Sequence, residues 1–402
     1  MCANSTPENI SKIALKVEKS LVLRGLGVPW KCLGSDLSEF CKIFDEINPG
    51  GVIFDTAPLK HGSVPQWEHF REKTPQMTLQ DFLTSCPSHE GKGRWLSFGY
   101  KSFRELSERM RDEIDFAPFG FPDIKEDITL WLGSRGAHTS CHYDTYGRNI
   151  VVQVFGHKRW ILFSPESDLR PTRIPFEESS VYSGLNFFSP GDLCQFNAIA
   201  EKAHIVTLAP GDVLIVPPKW WHFVENLDTA LALNAWIPIE QDTDAQMQEC
   251  FVKSIIFQFL RNVEPQIRKF MIYPNELKDF DEDPSEFLQQ HLRILNYLSS
   301  VKDSGRAPSY RSDVSDEEFS DLLAKNTSAE FVREATKEEF TQILTENQKR
   351  FDESWRFPEL TAQQRTSTEQ LTNLINSLCN VEAIERMKEC YLKLKKATAA
   401  DS

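Results

Sequence analysis

The densest chemistry in the sequence lies in HTSCHYDTYGRN, residues 138–149, which holds two histidines and an aspartate in a run of strand-forming residues. His142 and Asp144 are two apart, so on a strand they point to the same face. The strand rise puts their Cα atoms about 7 Å apart. One metal ion bridges that gap if a third ligand arrives from elsewhere. The candidate is His222 in PGDVLIVPPKWWHFVEN, after a strand, two prolines and two tryptophans. Two imidazoles and one carboxylate on one face of a metal leave the opposite positions open, the arrangement used by non-haem Fe(II) oxygenases. Imidazole ligates only when neutral, so such a site loses metal in acid. An H-x-D pair alone is a common chance pattern. Polar residues that merely fall together are the competing reading.

Converging these residues requires a particular scaffold. From Asp127 to about Pro238 the runs DITLWLG, SCHYD, NIVVQVFG, RWILFSP, AHIVTLAPGDVLIVPP and ALALNAWIPI are short and β-rich. Gly and Pro punctuate them at barrel or sandwich spacing. A small barrel brings sequence-distant strands together and aims alternate residues inward. Upstream, residues 8–19 predict a helix, LVLRG a strand, and DLSEFCKIFDEI a helix with Asp36 near its N-cap. GVIFDTA predicts a strand, and TLQDFL and FRELSERM predict helices. After about 240 the strands stop. DAQMQECFVKSIIFQFLRNV carries a broad apolar face at helical spacing. PSEFLQQHLRILNYLSSV, DEEFSDLLAKN, TKEEFTQILTENQKR and TEQLTNLINSLCNVEAIERMKECYLKL predict further helices. The expected division is 1–125 supporting the barrel, 126–240 the β core, and 241–402 a helical region with a linker at 302–314. No internal repeat is visible.

The chain has 402 residues and a formal net charge of −14. That balance argues against phosphate-backbone binding, which needs Lys and Arg to displace counterions. It suits a basic peptide or protein partner. Nine cysteines without a C-x-x-C pair read as reduced thiols of a cytoplasmic or nuclear protein. The absence of an apolar N-terminal core or a long apolar run predicts no signal peptide and no membrane span.

LWLGSRGAHTSCHYDTYGRNIVVQVFGHKRWILFSPE, followed by LAPGDVLIVPPKWWHFVENLDTALALNAWI, resembles the JmjC domains of cupin-type 2-oxoglutarate oxygenases, and among them the JmjC-only hydroxylases. The resemblance is strong over about 120–238 and extends back toward residue 10. It implies an α+β fold: a double-stranded β-helix (jelly-roll) barrel with flanking helices and a C-terminal helical region. The ordered set H-x-D, G-x-K and P-x-x-W-W-H carries it. By that resemblance His142, Asp144 and His222 are iron ligands. Lys158, fourteen residues after Asp144, pairs with the distal carboxylate of 2-oxoglutarate, and Thr139 hydrogen-bonds the same group. Read from the residues alone, a lysine after a Gly156–His157 turn is more often solvent-facing. Asn234 and Trp236 share one strand face, opposite Leu233 and Ala235, and border the cosubstrate in the family. Asn149 matches a cosubstrate-side amide. The N-terminal aromatic contacting the cosubstrate is Trp95 or Tyr100. Tyr143, Tyr146 and Trp221 are candidates for the substrate side. FEESS at 176–180 reads either as an acidic substrate-facing loop or as a solvated one.

The resemblance implies an Fe(II)- and 2-oxoglutarate-dependent dioxygenase acting on a protein substrate, with hydroxylation favoured over histone demethylation because no zinc-finger spacing is present. PTRIPFEESSVY at 171–182 is most similar to a family member associated with a small heat-shock protein. The alternative is therefore a weakly active or inactive scaffold that regulates such a partner. Homodimerisation through the C-terminal helices is compatible with the family.

Overall fold

A computed structural model of the chain describes residues 6–105, 108–125, 127–304, 310–355 and 360–400. Its strands, in chain order, are β1 Leu21–Leu23, β2 Asp55–Pro58, β3 Glu72–Lys73, β4 Arg94–Ser102, β5 Ile128–Gly133, β6 His138–Asp144, β7 Arg148–Phe155 and β8 Lys158–Phe163. They continue with β9 Pro171–Thr172, β10 Ser180–Ser183, β11 His204–Leu208, β12 Val213–Val216, β13 Trp221–Asn226, β14 Ala230–Ile237 and β15 Ala329–Phe331. One sheet runs β15-β1-β12-β7-β14-β5-β4-β2-β3 and the other β11-β8-β13-β6-β10-β9. Neighbouring strands within the core are distant in sequence and antiparallel, which is the jelly-roll arrangement.

The face shared by the two sheets is a small apolar core of Val22, Val151, Trp160, Leu162, Leu214, Val224 and their neighbours. The outer face of the larger sheet packs Leu231, Leu233, Ala235 and Ile237 against the N-terminal helices Pro7–Lys16 and Leu37–Ile47. The outer face of the smaller sheet packs Phe163, Phe223 and Val181 under the helix Lys337–Gln348. Both faces of the central strands are therefore covered. That is why they read as near-continuous apolar runs rather than clean alternation.

The segments outside the core are drawn into the same sheets. β1 pairs with β12 on one side and β15 on the other. Strands thus do not stop at 240; three residues are too few for a period to appear in the sequence. β4 has no counterpart among the expected strands, because its alternation breaks at a bulge between Phe98 and Lys101 where it pairs with β5. The helix expected over 78–83 runs Leu79–Gly91, past Pro87. Of the helix expected over 103–110, Phe103–Glu105 is a 3-10 turn, Glu108 begins a short helix, and 106–107 lie outside the described residues. The linker expected over 302–314 begins inside the helix Pro284–Ser304, and 305–309 lie outside the described residues. Asp36 caps its helix by accepting from the Glu39 N–H. Buried Glu225 on β13 binds Arg159 at 2.7 Å and Arg350 at 2.5 Å, which ties the C-terminal region to the barrel. Among the described residues no helix is long and apolar enough to cross a membrane.

Two histidines outside the candidate site make stability pH-dependent. His61 is buried, and burial lowers it to about 4; His138, stacked 3.7 Å from Phe188, is held well below its ordinary range by burial and by Arg71. Both are neutral when folded, so the unfolded chain takes up more protons between about pH 4 and 6.5. Stability is full above that window and falls as pH drops through it. The expected loss from His61 is about 2 kcal/mol between pH 6.5 and about 5, and His138 adds to it in the same direction. Urea unfolding at the two pH values measures it, and His61→Phe should flatten part of the slope.

Candidate metal centre and its cavity

β6 and β13 are antiparallel neighbours, and His142 stands directly opposite His222. Their rings lie 4.2 Å apart between centroids. Asp144, two residues along β6, faces the same way. Its Oδ1 is 3.7 Å from His142 Nε2, and its Oδ2 is 4.0 Å from His222 Nε2. One ligand atom from each of the three residues lies within 4.8 Å of the others. Each Nδ1 meets the carbonyl two residues earlier, Ser140 at 2.9 Å and Trp220 at 3.0 Å. A carbonyl only accepts, so Nδ1 is assigned the hydrogen and Nε2 presents its lone pair to the centre. Burial, with His222 adding to it, pushes His142 down to about 4, which keeps the imidazole neutral as ligation requires.

Asp144 is itself held. Its Oδ2 accepts from Trp236 Nε1 at 2.9 Å and from Asn149 Nδ2 at 3.3 Å. Asn149 Oδ1 accepts from Asn234 Nδ2 at 2.8 Å, and Asn234 Oδ1 accepts from Trp131 Nε1 at 2.7 Å. The chain Trp131–Asn234–Asn149–Asp144 thus fixes which amide end faces the carboxylate. Three residues expected beside a cosubstrate (Asn149, Asn234 and Trp236) line the cavity and also orient Asp144. Asn149→Ala and Asn234→Ala are each expected to weaken Mn(II) binding by about tenfold or more, the usual size of an outer-shell effect. Titration calorimetry reads this; a change under about twofold in both variants would show that the amide chain leaves the centre untouched.

Thr139 is three residues from His142, so strict alternation puts it on the opposite face. The register shows otherwise: His222 pairs with His142 and Val224 with Thr139, so two steps on β13 span three on β6. This bulge returns Thr139 to the interior, where it lines the cavity. Lys158 also lines it, buried at 6% exposure, with Nζ 3.3 Å from the Trp131 carbonyl. Among the described residues no carboxylate lies within ion-pair range of Lys158, and burial lowers it to about 7. The inward course of Lys158 starts at Gly156, which has φ +65°; a Cβ there would sit 2.2 Å from the Thr229 carbonyl.

Tyr100 and Tyr146 also reach this cavity of about 180 Å³. Trp95 does not: it is fully buried, donates to Gln66 at 3.0 Å, and packs edge-on to His138. Tyr143 and Trp221 do not reach it either. They meet edge-on at 4.6 Å on the outer face of the smaller sheet, because each is adjacent to an inward histidine. Parity with His142 and His222 was the available signal. Glu68, Trp131 and Tyr182 line the cavity without a sequence signal for a site, whereas Glu177, Ser179 and Ser180 of FEESS face it from the loop read as either substrate-facing or solvated. Tyr182 sits opposite His142 on β10, a strand too short to show a period. Past Glu68, Tyr100 and Trp236 the cavity meets a groove of about 970 Å³.

Residues 22–242 match the family described as Cupin-like domain. The chain is 42% identical over 292 residues to HSPB1-associated protein 1 of Bos taurus and 39% identical over 291 residues to that of Homo sapiens. Each alignment covers 68% of this chain and 59% of the relative, so the chain spans less than two thirds of those proteins. Jumonji C domain-containing protein 5 of Drosophila melanogaster is 34% identical over 192 residues, covering 45% of this chain and 46% of that protein.

Proposed function

The chain belongs to the cupin-like domain family in its JmjC form, and from that premise we propose that it is an Fe(II)- and 2-oxoglutarate-dependent oxygenase that hydroxylates a protein substrate. One observation carries the proposal: two imidazoles and a carboxylate converge in the same cavity as a buried lysine that has no carboxylate within ion-pair range among the described residues. A mixed nitrogen–oxygen triad of this kind suits ferrous iron with positions left open. The lysine suits a dicarboxylate, since a buried ammonium is costly until an anion meets it. Zinc would fit the same three ligands but would leave Lys158 and Thr139 without a role.

His142, Asp144 and His222 would hold the metal, and Lys158 and Thr139 would receive the distal carboxylate of 2-oxoglutarate. When bound, iron and 2-oxoglutarate supply the oxidising chemistry, with O₂ consumed and succinate and CO₂ released. The protein fixes Asp144 through Trp236 and Asn149, turns both Nε2 atoms toward the centre by seating each Nδ1 on a backbone carbonyl, and walls the cavity with Trp131, Trp160 and Tyr182 against bulk water. The groove beyond the mouth has room for a polypeptide.

The test is anaerobic loading with Fe(II) and 2-oxoglutarate, then exposure to air and quantification of succinate. Succinate above a metal-free control is expected. A folded, iron-loaded chain that forms none overturns the reading. A mass-spectrometric search for oxygen-bearing products, comparing cells with the wild-type chain and with Asp144→Ala, identifies the substrate.

The mammalian relatives are named for association with HSPB1, which favours a small heat-shock protein as partner of this chain too. Retention of a purified small heat-shock protein on the immobilised chain tests this. Retention only on denatured chain would count against it.

A further inference from the structure

The metal centre uses one face of β6. The other face borders a second cavity, of about 160 Å³. Tyr143 and Thr145, on either side of Asp144, line it together with Arg173, Lys219 and the start of the helix Val381–Ala400. It shares no lining residue with the cavity of the triad. Its volume is near the roughly 150 Å³ of a cavity that takes benzene, but its walls carry charge.

The polar groups of these walls are unevenly satisfied. Glu249, the one carboxylate lining the cavity among the described residues, accepts from Arg173 Nη2. Asn376 is used at both ends: it accepts from the Arg173 backbone N–H at 2.7 Å and donates to Thr172 Oγ1 at 3.2 Å. The Asn380 side chain caps its helix, accepting from the Ala383 N–H at 2.9 Å. Arg173 Nε and Thr145 Oγ1 differ. Both atoms are buried, and among the described residues neither has a hydrogen-bond partner. Arg173 is only 7% exposed, so bulk water does not serve its Nε. Lys219 is exposed, and among the described residues no carboxylate lies within ion-pair range of it. Its backbone sits at φ +62°, a region disfavoured for a residue with a side chain, while its N–H holds the Asp144 carbonyl at 3.2 Å. The start of the helix Val381–Ala400 adds the positive end of a helix dipole.

The surplus is of donors and positive charge. Arg173 and Glu249 cancel, and Lys219 is left over. Arg173 Nε only donates, and the Thr145 hydroxyl is free to donate. A compact anion rich in acceptor oxygens answers all of these groups. Water would accept from Nε and Oγ1 but would leave the positive charge unmatched. We propose that the second cavity binds a small oxyanion, phosphate or a short carboxylate, through Arg173, Thr145 and Lys219 on the far side of β6 from the metal centre. The assignment stands apart from the oxygenase reading, because none of these three side chains belongs to the triad or its cavity.

Lys158 could also attract an anion, so the experiment uses the full metal-free chain carrying Lys158→Met. Inorganic phosphate and acetate are titrated separately at neutral pH and constant ionic strength, and binding is read from the phosphorus and proton NMR line widths of the probes. Saturable binding of at least one of them is expected, with a dissociation constant of about 1 mM or tighter. On the same background Lys219→Met should weaken it about tenfold and Thr145→Val about fivefold. Lys219 is exposed and valine matches threonine in volume, so both variants should fold, which circular dichroism verifies. Saturation by phosphate alone identifies a tetrahedral oxyanion as the ligand, and saturation by acetate a carboxylate; either supports the proposal. Failure of both probes to saturate overturns it, and so does binding that both variants leave within about twofold. Binding to the wild-type chain that Lys158→Met abolishes overturns it as well, since the anion then sits on that lysine.

Discussion

Asp144→Ala is expected to lower Mn(II) affinity by about 100-fold or more and to reduce succinate formation to background. The size follows from the position of the side chain. It is one of three candidate ligands among the described residues, and outer-shell changes alone cost about 10–100-fold. The stability consequence separates a lost ligand from a damaged fold. Metal at about 100 times its dissociation constant stabilises the native wild type by about 2.7 kcal/mol, and the variant should lose that increment. Metal-free stability should move much less. Deleting the carboxylate orphans the Trp236 and Asn149 donors, at about 1–3 kcal/mol, but also removes a buried charge that costs energy to keep. Differential scanning fluorimetry with and without Mn(II) gives both numbers. If the variant still binds Mn(II) within about threefold of wild type, the triad is not the metal site.

The parts of this site legible in the sequence are those set by local rules. Period-two alternation is local, so His142 with Asp144, and Asn234 with Trp236 opposite Leu233 and Ala235, follow from spacing, and the structure puts each pair on one inward face. Thr139 breaks that rule by a bulge that only the partner strand reveals. The choice between Trp95 and Tyr100 turns on where β4 lies beside β5, which depends on sheet order rather than on either residue. Tyr143 and Trp221 are the opposite case: alternation alone places them outside, whatever the chemistry of their rings. The loop FEESS was ambiguous because its two acids have different fates, set by Lys253 some 75 positions later.

Lys158→Met is expected to raise the stability of the ligand-free chain while destroying its affinity for 2-oxoglutarate, and the opposed signs make the pair of measurements decisive. In the ligand-free protein, burial alone lowers the ammonium from 10.5 to about 7. Because the folded value is the lower one, the unfolded chain binds more protons between pH 7 and 10.5. The penalty is present in full below about pH 7 and disappears as pH rises to 10.5. Wild-type stability should therefore rise across that window, and Lys158→Met should lack the rise. Removing the charge at neutral pH should add about 3 kcal/mol, allowing for partial relaxation around Nζ. A methionine fills nearly the same volume, so packing changes little. Binding moves the other way: the methionine offers no donor to a distal carboxylate, and 2-oxoglutarate affinity should fall by about 100-fold. A third readout follows from linkage. A bound dicarboxylate favours the charged lysine, so 2-oxoglutarate binding near pH 8 should draw a proton from the medium, visible as a buffer-dependent calorimetric heat. Wild-type binding without proton uptake, together with a Lys158→Met variant that is less stable and still binds, would mean that this lysine serves the fold and not an anion.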